Sequence, residues 1–258
     1  LGPIWKANSM NGFEKHGIKH LSASSINLWT NAPDVWVASY LFKKRTPMGA
    51  AAMRGICTED AVANTLTGKL HKAGALDQAL EKFDSMFFMA DEKITKERAM
   101  IEPCMELALQ ELEHYGKPEF PEEGQIKISI TAKTDDFEIP VIGYLDFVFP
   151  DHGVVVDLKT TGRIPTKMSA EHQLQRAIYQ KARGNQVVKF LYVSSKKTNM
   201  LEDGDPTEIL GKAKKQIARL EKFLRAGSAE DIREVIPVNP NSFYWNGAED
   251  LREEMYGI

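Results

Sequence analysis

The sequence predicts a mixed fold of the α/β or α+β class, in which a central mixed sheet of about four to five strands is flanked by helices. Two observations lead to this prediction. Apolar residues in the first part of the chain recur at the three- and four-residue spacing of helices. After the Gly-Lys-Pro at residues 116–118, the pattern changes to short apolar or alternating runs separated by Gly and Pro. A helical N-terminal half should therefore precede a core built on strands.

The first helices follow a lead-in without clear periodicity, residues 1–20, which we predict to be an N-terminal arm. Residues 22–42 have helical periodicity, and Ser22 and Ser24 are candidate N-cap residues. Because proline interrupts a helix interior, Pro33 should divide this segment into two helices.

Further helices are predicted over residues 50–66, ending at Gly68, and over residues 76–115. Pro103 should break the second of these segments, since proline lacks the N–H that a helix interior needs. Residues 21–120 are therefore expected to form the helical part of a single domain that extends to residue 258.

The second part of the domain, residues 121–230, should hold the sheet, and residues 231–258 should form a C-terminal tail. Four strands are predicted, at residues 125–131, 137–149, 154–159 and 187–194. Residues 150–153, Pro-Asp-His-Gly, have the composition of a hairpin turn. Two helices complete the core, at residues 169–182 and 206–226.

The composition is that of a folded protein, with 43% apolar and 27% charged residues. A net charge of −3, from 33 basic and 36 acidic residues, does not indicate bulk nucleic-acid binding, but it permits a basic stripe beside an acidic site.

No apolar run reaches the ~20 residues that span a bilayer, so no membrane association is expected. Two cysteines, Cys57 and Cys104, are too few for a disulfide scaffold, and a reducing, cytoplasmic setting is expected.

Two aspartates and a lysine form the most informative pattern. Asp146 and Asp157 end apolar, β-branched runs, and Lys159 lies two positions beyond Asp157. Because residues i and i+2 of a strand share a face, Asp157 and Lys159 should project side by side, with Leu158 facing the other way. Either aspartate alone would be read as a polar strand end. A carboxylate pair beside an ammonium is, however, what metal-dependent phosphodiester cleavage requires.

Five motifs resemble the PD-(D/E)XK nuclease superfamily, and specifically its RecB-like exonuclease branch, over residues 21–195. They occur in the order of that branch: Ser-x-Ser-x-Ile-x-x-Trp at residues 22–29, Gly-x-x-x-Glu at 55–59, Gly143-x-x-Asp146, Asp157-x-Lys159 and Gln175-x-x-x-Tyr179. The resemblance implies a restriction-endonuclease-like core.

The resemblance also implies a metal site. Asp146 and Asp157 would bind Mg²⁺, for which Mn²⁺ can substitute, together with the backbone carbonyl of Leu158. Glu59 would be a third side-chain ligand, since relatives place a histidine or a glutamate there; exposed acidic helix surface is the competing interpretation. Lys159 would position the attacking water and offset charge in the transition state.

Candidate substrate-binding residues lie downstream. Gln175 and Tyr179, four apart on one helix face, would line the cleft and contact the metal shell or a phosphate. His172, Thr160 and Lys196 are further candidates for substrate contact. Ordinary helix positions remain the alternative for Gln175, Tyr179 and His172, and a solvated loop remains the alternative for Lys196.

Many relatives hold an iron–sulfur cluster through a cysteine just before the proline after the first motif and three more near the C-terminus. Here Ala32 precedes Pro33, and no cysteine follows Cys104. The resemblance therefore implies a member without an iron–sulfur cluster, similar to the phage-type exonucleases.

The function that these motifs imply is that of a Mg²⁺- or Mn²⁺-dependent DNA exonuclease that leaves 5′-phosphates, in DNA recombination, repair or phage DNA processing. Its partner would be single- or double-stranded DNA ends inside a cell, or inside the host cell if the protein is encoded by a virus. A structure-selective endonuclease or nickase, or an inactive DNA-binding assembly protein, remains the alternative. By analogy, a homo-oligomer and a strand-annealing protein or helicase partner are conceivable.

Overall fold

Helices dominate the first part of the chain. The computed structural model describes residues 10–87, 91–119, 125–130, 137–184 and 186–258. Its first seven α-helices are α1 (Gly12–Lys15), α2 (Ala23–Asn31), α3 (Pro33–Tyr40), α4 (Ala50–Leu66), α5 (Lys72–Met86), α6 (Glu92–Ala99) and α7 (Ile101–Leu112). The predicted helical N-terminal half is confirmed.

Capping explains where α2 begins. Ser22 Oγ accepts a hydrogen bond from Ser25 N at 3.2 Å, and Ser25 Oγ accepts one from Ser22 N at 2.8 Å. These reciprocal bonds form a capping box, which satisfies donors that the first helical turn leaves free. Pro33 occupies the first position of α3, so the predicted division of residues 22–42 into two helices is confirmed.

The break predicted at Pro103 is present, but it lies three residues before the proline, at Met100 between α6 and α7. Pro103 itself lies in the first turn of α7, whose N–H groups have no partner within the helix, so its missing N–H costs nothing there. The helical segment is also interrupted earlier, between α5 and α6, where residues 88–90 lie outside the described part of the chain.

The strands form two sheets. They are β1 (Leu21–Ser22), β2 (Ile126–Ile130), β3 (Val141–Leu145), β4 (Phe147–Phe149), β5 (Val154–Thr160), β6 (Val187–Val193) and β7 (Thr198–Leu201). One sheet has the order β1-β3-β2, with β1 parallel to β3. The other has the order β4-β5-β6-β7 and is mixed, because only β5 and β6 run parallel.

The predicted fold class, α/β or α+β with mixed sheet and helices, is confirmed. The four predicted strands are present in part: residue 131 lies outside the described residues, and β7 was not predicted. The remaining helices are α8 (Ala170–Arg183), α9 (Pro206–Arg225), α10 (Ala229–Val235) and α11 (Glu249–Tyr256).

The sequence predicted a single strand over residues 137–149, but the structure has two strands there. β3 and β4 belong to different sheets, and Asp146 separates them. The burial pattern gives the reason, because β3 exposes Tyr144 between buried neighbours whereas every residue of β4 is buried. The two strands therefore suit different environments, and the chain changes sheet at the aspartate.

Contacts between Cα atoms divide the chain into two compact units. Unit 1 consists of Leu1–Pro47, Ser129–Ile142 and Thr207–Ile258, and unit 2 of Met48–Ile128 and Gly143–Pro206. These limits differ from the predicted segments 1–20, 21–120, 121–230 and 231–258, whose grouping into one nuclease domain with an arm and a tail stays a prediction.

Unit 1 contains the segments predicted as arm and tail. Phe13 is 2% exposed, and Gly12 N donates to Glu221 Oε1 of α9 at 2.9 Å. Near the C-terminus, Trp245 Nε1 donates to the buried Asp34 at 2.8 Å. Residues 10–20 and the final segment are thus tied to helices of this unit, while residues 1–9 lie outside the described part.

Unit 2 has its own core, in which α4, α5 and α7 pack against β4, β5 and β6. Both cysteines are buried in this core and are free, and burial raises the pKa of each thiol to about 11. Leu158 is also a core residue, so its predicted direction away from Asp157 and Lys159 is confirmed.

Within the described residues, no helix combines the length and apolar character that crossing a bilayer requires.

Candidate active site

Asp157 and Lys159 lie side by side on β5, as their spacing predicted. Lys159 Nζ forms an ion pair with Asp157 Oδ1. The aspartate is fully buried, whereas the lysine side chain is 26% exposed. The strand thus presents a buried carboxylate paired with a lysine whose side chain is partly exposed.

Asp146, between β3 and β4, reaches the same part of β5. Its Oδ2 accepts a hydrogen bond from the main-chain N–H of Leu158 at 2.9 Å. Since Leu158 separates Asp157 from Lys159 in sequence, this bond places Asp146 beside both. The resemblance makes the Leu158 carbonyl a metal ligand, and that role stays a prediction.

Gln125 connects Asp146 to Glu59 of α4. Its Nε2 donates to Asp146 Oδ1 at 2.9 Å and also donates to Glu59 Oε1. The glutamate that the resemblance assigned to the site is therefore brought next to the first aspartate, and a carboxamide lies between the two carboxylates.

The three carboxylates affect one another electrostatically. Burial and the charge of Asp157 raise the pKa of Glu59 to about 7. Burial, followed by the charges of Asp157 and Glu59, raises the pKa of Asp146 well above its usual range. Burial also raises the pKa of Asp157, although Lys159 opposes this. Close, desolvated carboxylates disfavour simultaneous ionisation, which a cation among them would relieve.

Lys159 remains charged in this setting. Burial disfavours its ammonium, but the charges of Asp157, Asp146 and Glu59 outweigh that effect, and the pKa of Lys159 is raised. Its Nζ also lies 5.3 Å from the ring centroid of Phe190 on β6, within the range of a cation–π interaction.

Gln175 and Tyr179 lie on α8, and their side chains form a chain of hydrogen bonds that supports the site. Gln175 Nε2 donates to Asp157 Oδ2 at 2.9 Å and to the Tyr179 hydroxyl at 2.7 Å. Tyr179 in turn donates to the carbonyl of Tyr144 at 2.6 Å. Gln175 thus contacts a candidate ligand, whereas Tyr179 bonds to Gln175 and to β3. Their contact with substrate stays a prediction.

Gly143 makes room for that tyrosine. A Cβ at position 143 would lie 2.5 Å from Tyr179 Cε1, too close for two carbon atoms. The Gly143-x-x-Asp146 motif therefore has a steric cause in this chain, since the ring of Tyr179 packs directly on the backbone of β3.

His172 lies in the first turn of α8, close to Lys159. Its Nδ1 is 2.7 Å from the Tyr192 hydroxyl on β6, which is buried. Burial and the charge of Lys159 lower the pKa of His172 to about 4, so the ring is neutral at physiological pH. Its predicted role in substrate binding remains untested.

Thr160 ends β5 and bonds to an arginine that the sequence analysis did not single out. Arg54 Nε donates to Thr160 Oγ1 at 3.1 Å, and Arg54 Nη2 donates to the Thr160 carbonyl at 3.1 Å. Arg54 also forms an ion pair with Glu97 of α6. Thr160 therefore anchors the arginine of α4, five positions before Glu59, and its proposed substrate contact stays a prediction.

Lys196 is exposed in the turn between β6 and β7. Its main-chain N–H donates to Ser194 Oγ at 3.3 Å. Because β6 is parallel to β5, with Val193 opposite Thr160, this turn follows β6 at the sheet edge where β5 ends. The position is compatible with the predicted substrate contact, which remains a prediction.

The donor set suits a hard divalent cation. Glu59, Asp146 and Asp157 supply carboxylate oxygens only, the ligand type that Mg²⁺ and Mn²⁺ prefer. As the described side chains stand, no three His, Cys, Asp or Glu residues form a group able to hold a metal ion. Gln125 and Lys159 instead engage these oxygens. The carboxylate oxygens are suitable ligands for a divalent cation, which would have to displace the Gln125 amide to bind them.

Sequence reasoning missed Gln125 and Arg54. Gln125 immediately precedes an alternating strand, a position at which a polar residue is ordinary. Arg54 offered a weak signal, because it is a single charge within an otherwise apolar stretch of α4 and is 4% exposed. Buried arginines are usually paired.

Comparisons with known proteins add little. No family model matches the chain, and no curated protein matches it. A solved structure described as "Crystal structure of SSO0001" is 12% identical, with a TM-score of 0.35, over 63% of this chain and 74% of that one. A likeness of this size carries no argument about function.

Proposed function

We propose that this protein is a metal-dependent deoxyribonuclease that acts as an exonuclease on DNA ends and leaves 5′-phosphates. One observation carries the proposal: the hydrogen bond from Leu158 N to Asp146 Oδ2 at 2.9 Å, which brings the first aspartate to the strand of Asp157 and Lys159. Because both cysteines are free thiols, which suits a reducing compartment, we also propose a cytoplasmic protein.

Glu59, Asp146 and Asp157 would hold Mg²⁺, or Mn²⁺ in its place, with help from the Leu158 carbonyl. A bound cation of this kind lowers the pKa of water and offsets charge that develops on a phosphoryl oxygen. The raised pKa of Glu59, about 7, means that the carboxylates gain most from a cation at neutral pH and above.

Lys159 would act on the substrate directly. The Lys159 ammonium is paired with the Asp157 carboxylate, and its side chain is 26% exposed. An ammonium has three N–H donors, which would hold the attacking water and a phosphate oxygen as well as this carboxylate. Gln175 keeps the Asp157 carboxylate oriented through its 2.9 Å hydrogen bond.

The test is cleavage of end-labelled linear DNA with Mg²⁺, with an EDTA control. Asp157→Asn and Lys159→Met should each lower the rate by about 10²-fold or more, as removal of a transition-state contact does. The matched controls Asp151→Asn and Lys222→Met change exposed residues outside this site and should leave the rate unchanged. Full activity in Asp157→Asn would refute the proposal.

Closed circular DNA separates the alternatives on the same site. An exonuclease needs an end and leaves the circle intact, whereas a structure-selective endonuclease or nickase relaxes or linearises it. DNA binding without turnover, in Mg²⁺ or in Mn²⁺, would instead indicate an inactive DNA-binding protein.

A further inference from the structure

The amide of Gln125 occupies an unusual position between two carboxylates. One N–H of its Nε2 is directed to Asp146 Oδ1 at 2.9 Å, and the same nitrogen donates to Glu59 Oε1. The nitrogen of the amide, and not its oxygen, faces the two carboxylates, which both act as acceptors.

The Gln125 amide supplies part of the electrostatic attraction that a cation would exert on the two carboxylates. Glu59 and Asp146 are desolvated, and each is affected by the charge of its neighbours. Two N–H dipoles from one nitrogen draw the carboxylates to the same point, where a positive charge would also be most favourable. Of the three carboxylates, Asp157 is the one that Lys159 contacts directly among the described residues.

We propose that Gln125 is a positioning residue that stands in for the divalent cation: it holds Glu59 and Asp146 together in the metal-free protein and is displaced when the cation binds. The inference rests on the metal site of the proposed function. The carboxylates stay assembled without metal, and the cation must replace two hydrogen bonds to enter.

Two effects of opposite sign follow. Without the Gln125 amide, the metal-free protein loses the two hydrogen bonds that hold Glu59 and Asp146 together, and it becomes less stable. Without Gln125, the cation has no competitor and finds carboxylates whose repulsion is unrelieved, so it binds more tightly. Ordinary structural damage to the site would instead weaken binding, and the sign of the change in affinity therefore distinguishes the two.

Gln125→Met is the appropriate variant, because it keeps the length of the side chain and removes both donors. Mn²⁺ affinity is measured by the electron paramagnetic resonance signal of the free ion, and metal-free stability by thermal melting in EDTA. We expect Mn²⁺ to bind about tenfold more tightly and the metal-free melting temperature to fall by about 3 °C.

Two further variants serve as a substitute for Gln125→Met and as a control. Gln125→Leu also removes both donors without adding a ligand, so it should likewise bind Mn²⁺ more tightly, and it serves if Gln125→Met does not fold. Gln78→Met alters an exposed glutamine of α5 that bonds to Asn64 at 3.1 Å, and it should leave Mn²⁺ affinity unchanged.

Unchanged or weaker Mn²⁺ binding in a folded variant that lacks both Gln125 donors would overturn the inference, whether or not DNA is cleaved. If Gln125→Met binds Mn²⁺ more tightly than wild type and the wild-type protein cleaves no DNA, the inference is supported and the nuclease is refuted. A wild-type protein that binds no Mn²⁺ at millimolar concentration would overturn both.

Discussion

Leu158 donates its main-chain N–H to the carboxylate of Asp146 at 2.9 Å. The bond joins the point where the chain leaves one sheet to the strand that carries the second aspartate and the lysine. It also satisfies a buried carboxylate oxygen, which would otherwise be costly to desolvate. The acids of the candidate site therefore have fixed positions before any ligand arrives.

The contact between Gly143 and Tyr179 predicts a steric effect. Gly143→Ala should lower the free energy of unfolding by about 1–3 kcal/mol, because the new methyl group would lie 2.5 Å from Tyr179 Cε1. Urea denaturation measures the change. Gly211→Ala, at an open position of α9, is the control and should stabilise slightly. Equal effects of the two substitutions would contradict the prediction.

Gln175 should matter for catalysis more than for folding. Gln175→Met removes the donor that orients Asp157, and supporting residues of this kind typically contribute about 10–100-fold to metal affinity or activity. We expect a lower rate at saturating Mg²⁺ with little change in the unfolding midpoint. Tyr179→Phe, which leaves the bond between Gln175 and Asp157 possible, should have a smaller effect. An equal or larger loss in Tyr179→Phe would argue against this role.

Arg54 should be coupled energetically to Glu97. Arg54→Met leaves a carboxylate whose side chain is 15% exposed without its ion-pair partner, and it should cost about 3 kcal/mol of unfolding free energy. The double variant with Glu97→Gln should cost less than the sum of the single variants, by about 1 kcal/mol or more. A double-mutant cycle in urea measures the coupling, and strict additivity would exclude it.

The acid sensitivity of the protein should depend on His172. Its folded-state pKa is lowered to about 4 by burial and by Lys159, against ~6.5 in the unfolded chain. The unfolded state therefore binds the proton more readily, and the stability contributed above pH 6.5 is lost as the pH falls towards 4. His172→Gln should reduce this loss by on the order of 1 kcal/mol between pH 7 and pH 4.5.

Unfolding midpoints in urea with EDTA measure that difference. Glu59, with a pKa raised to about 7, gives the opposite slope in part of this range, so the comparison is between wild type and variant and not within one curve. His71→Gln, an exposed histidine, is the control. A His172 variant that loses stability as steeply as wild type would show that the ring does not contribute.

Local sequence patterns predicted the secondary structure well where their cause is local. Ser22 caps α2 and Pro33 starts α3 through interactions within a few residues. The break predicted at Pro103 lies three residues earlier, at Met100, because a proline is accepted in the first turn of a helix and α7 begins just before it. The strand at residues 137–149 failed because a change of sheet at Asp146 leaves no mark in a continuous apolar run.

The mixed class of the fold, the helices and most strands could be predicted from local patterns of residues. So could the side-by-side placement of Asp157 and Lys159, because strand periodicity sets which neighbours share a face. Three contacts became visible only in the folded chain: Asp146 bonds to Leu158, Gln125 lies between Glu59 and Asp146, and Arg54 holds Thr160. These contacts join residues far apart in the chain, and long-range partners follow from how helices and strands pack, which no local pattern of residues encodes.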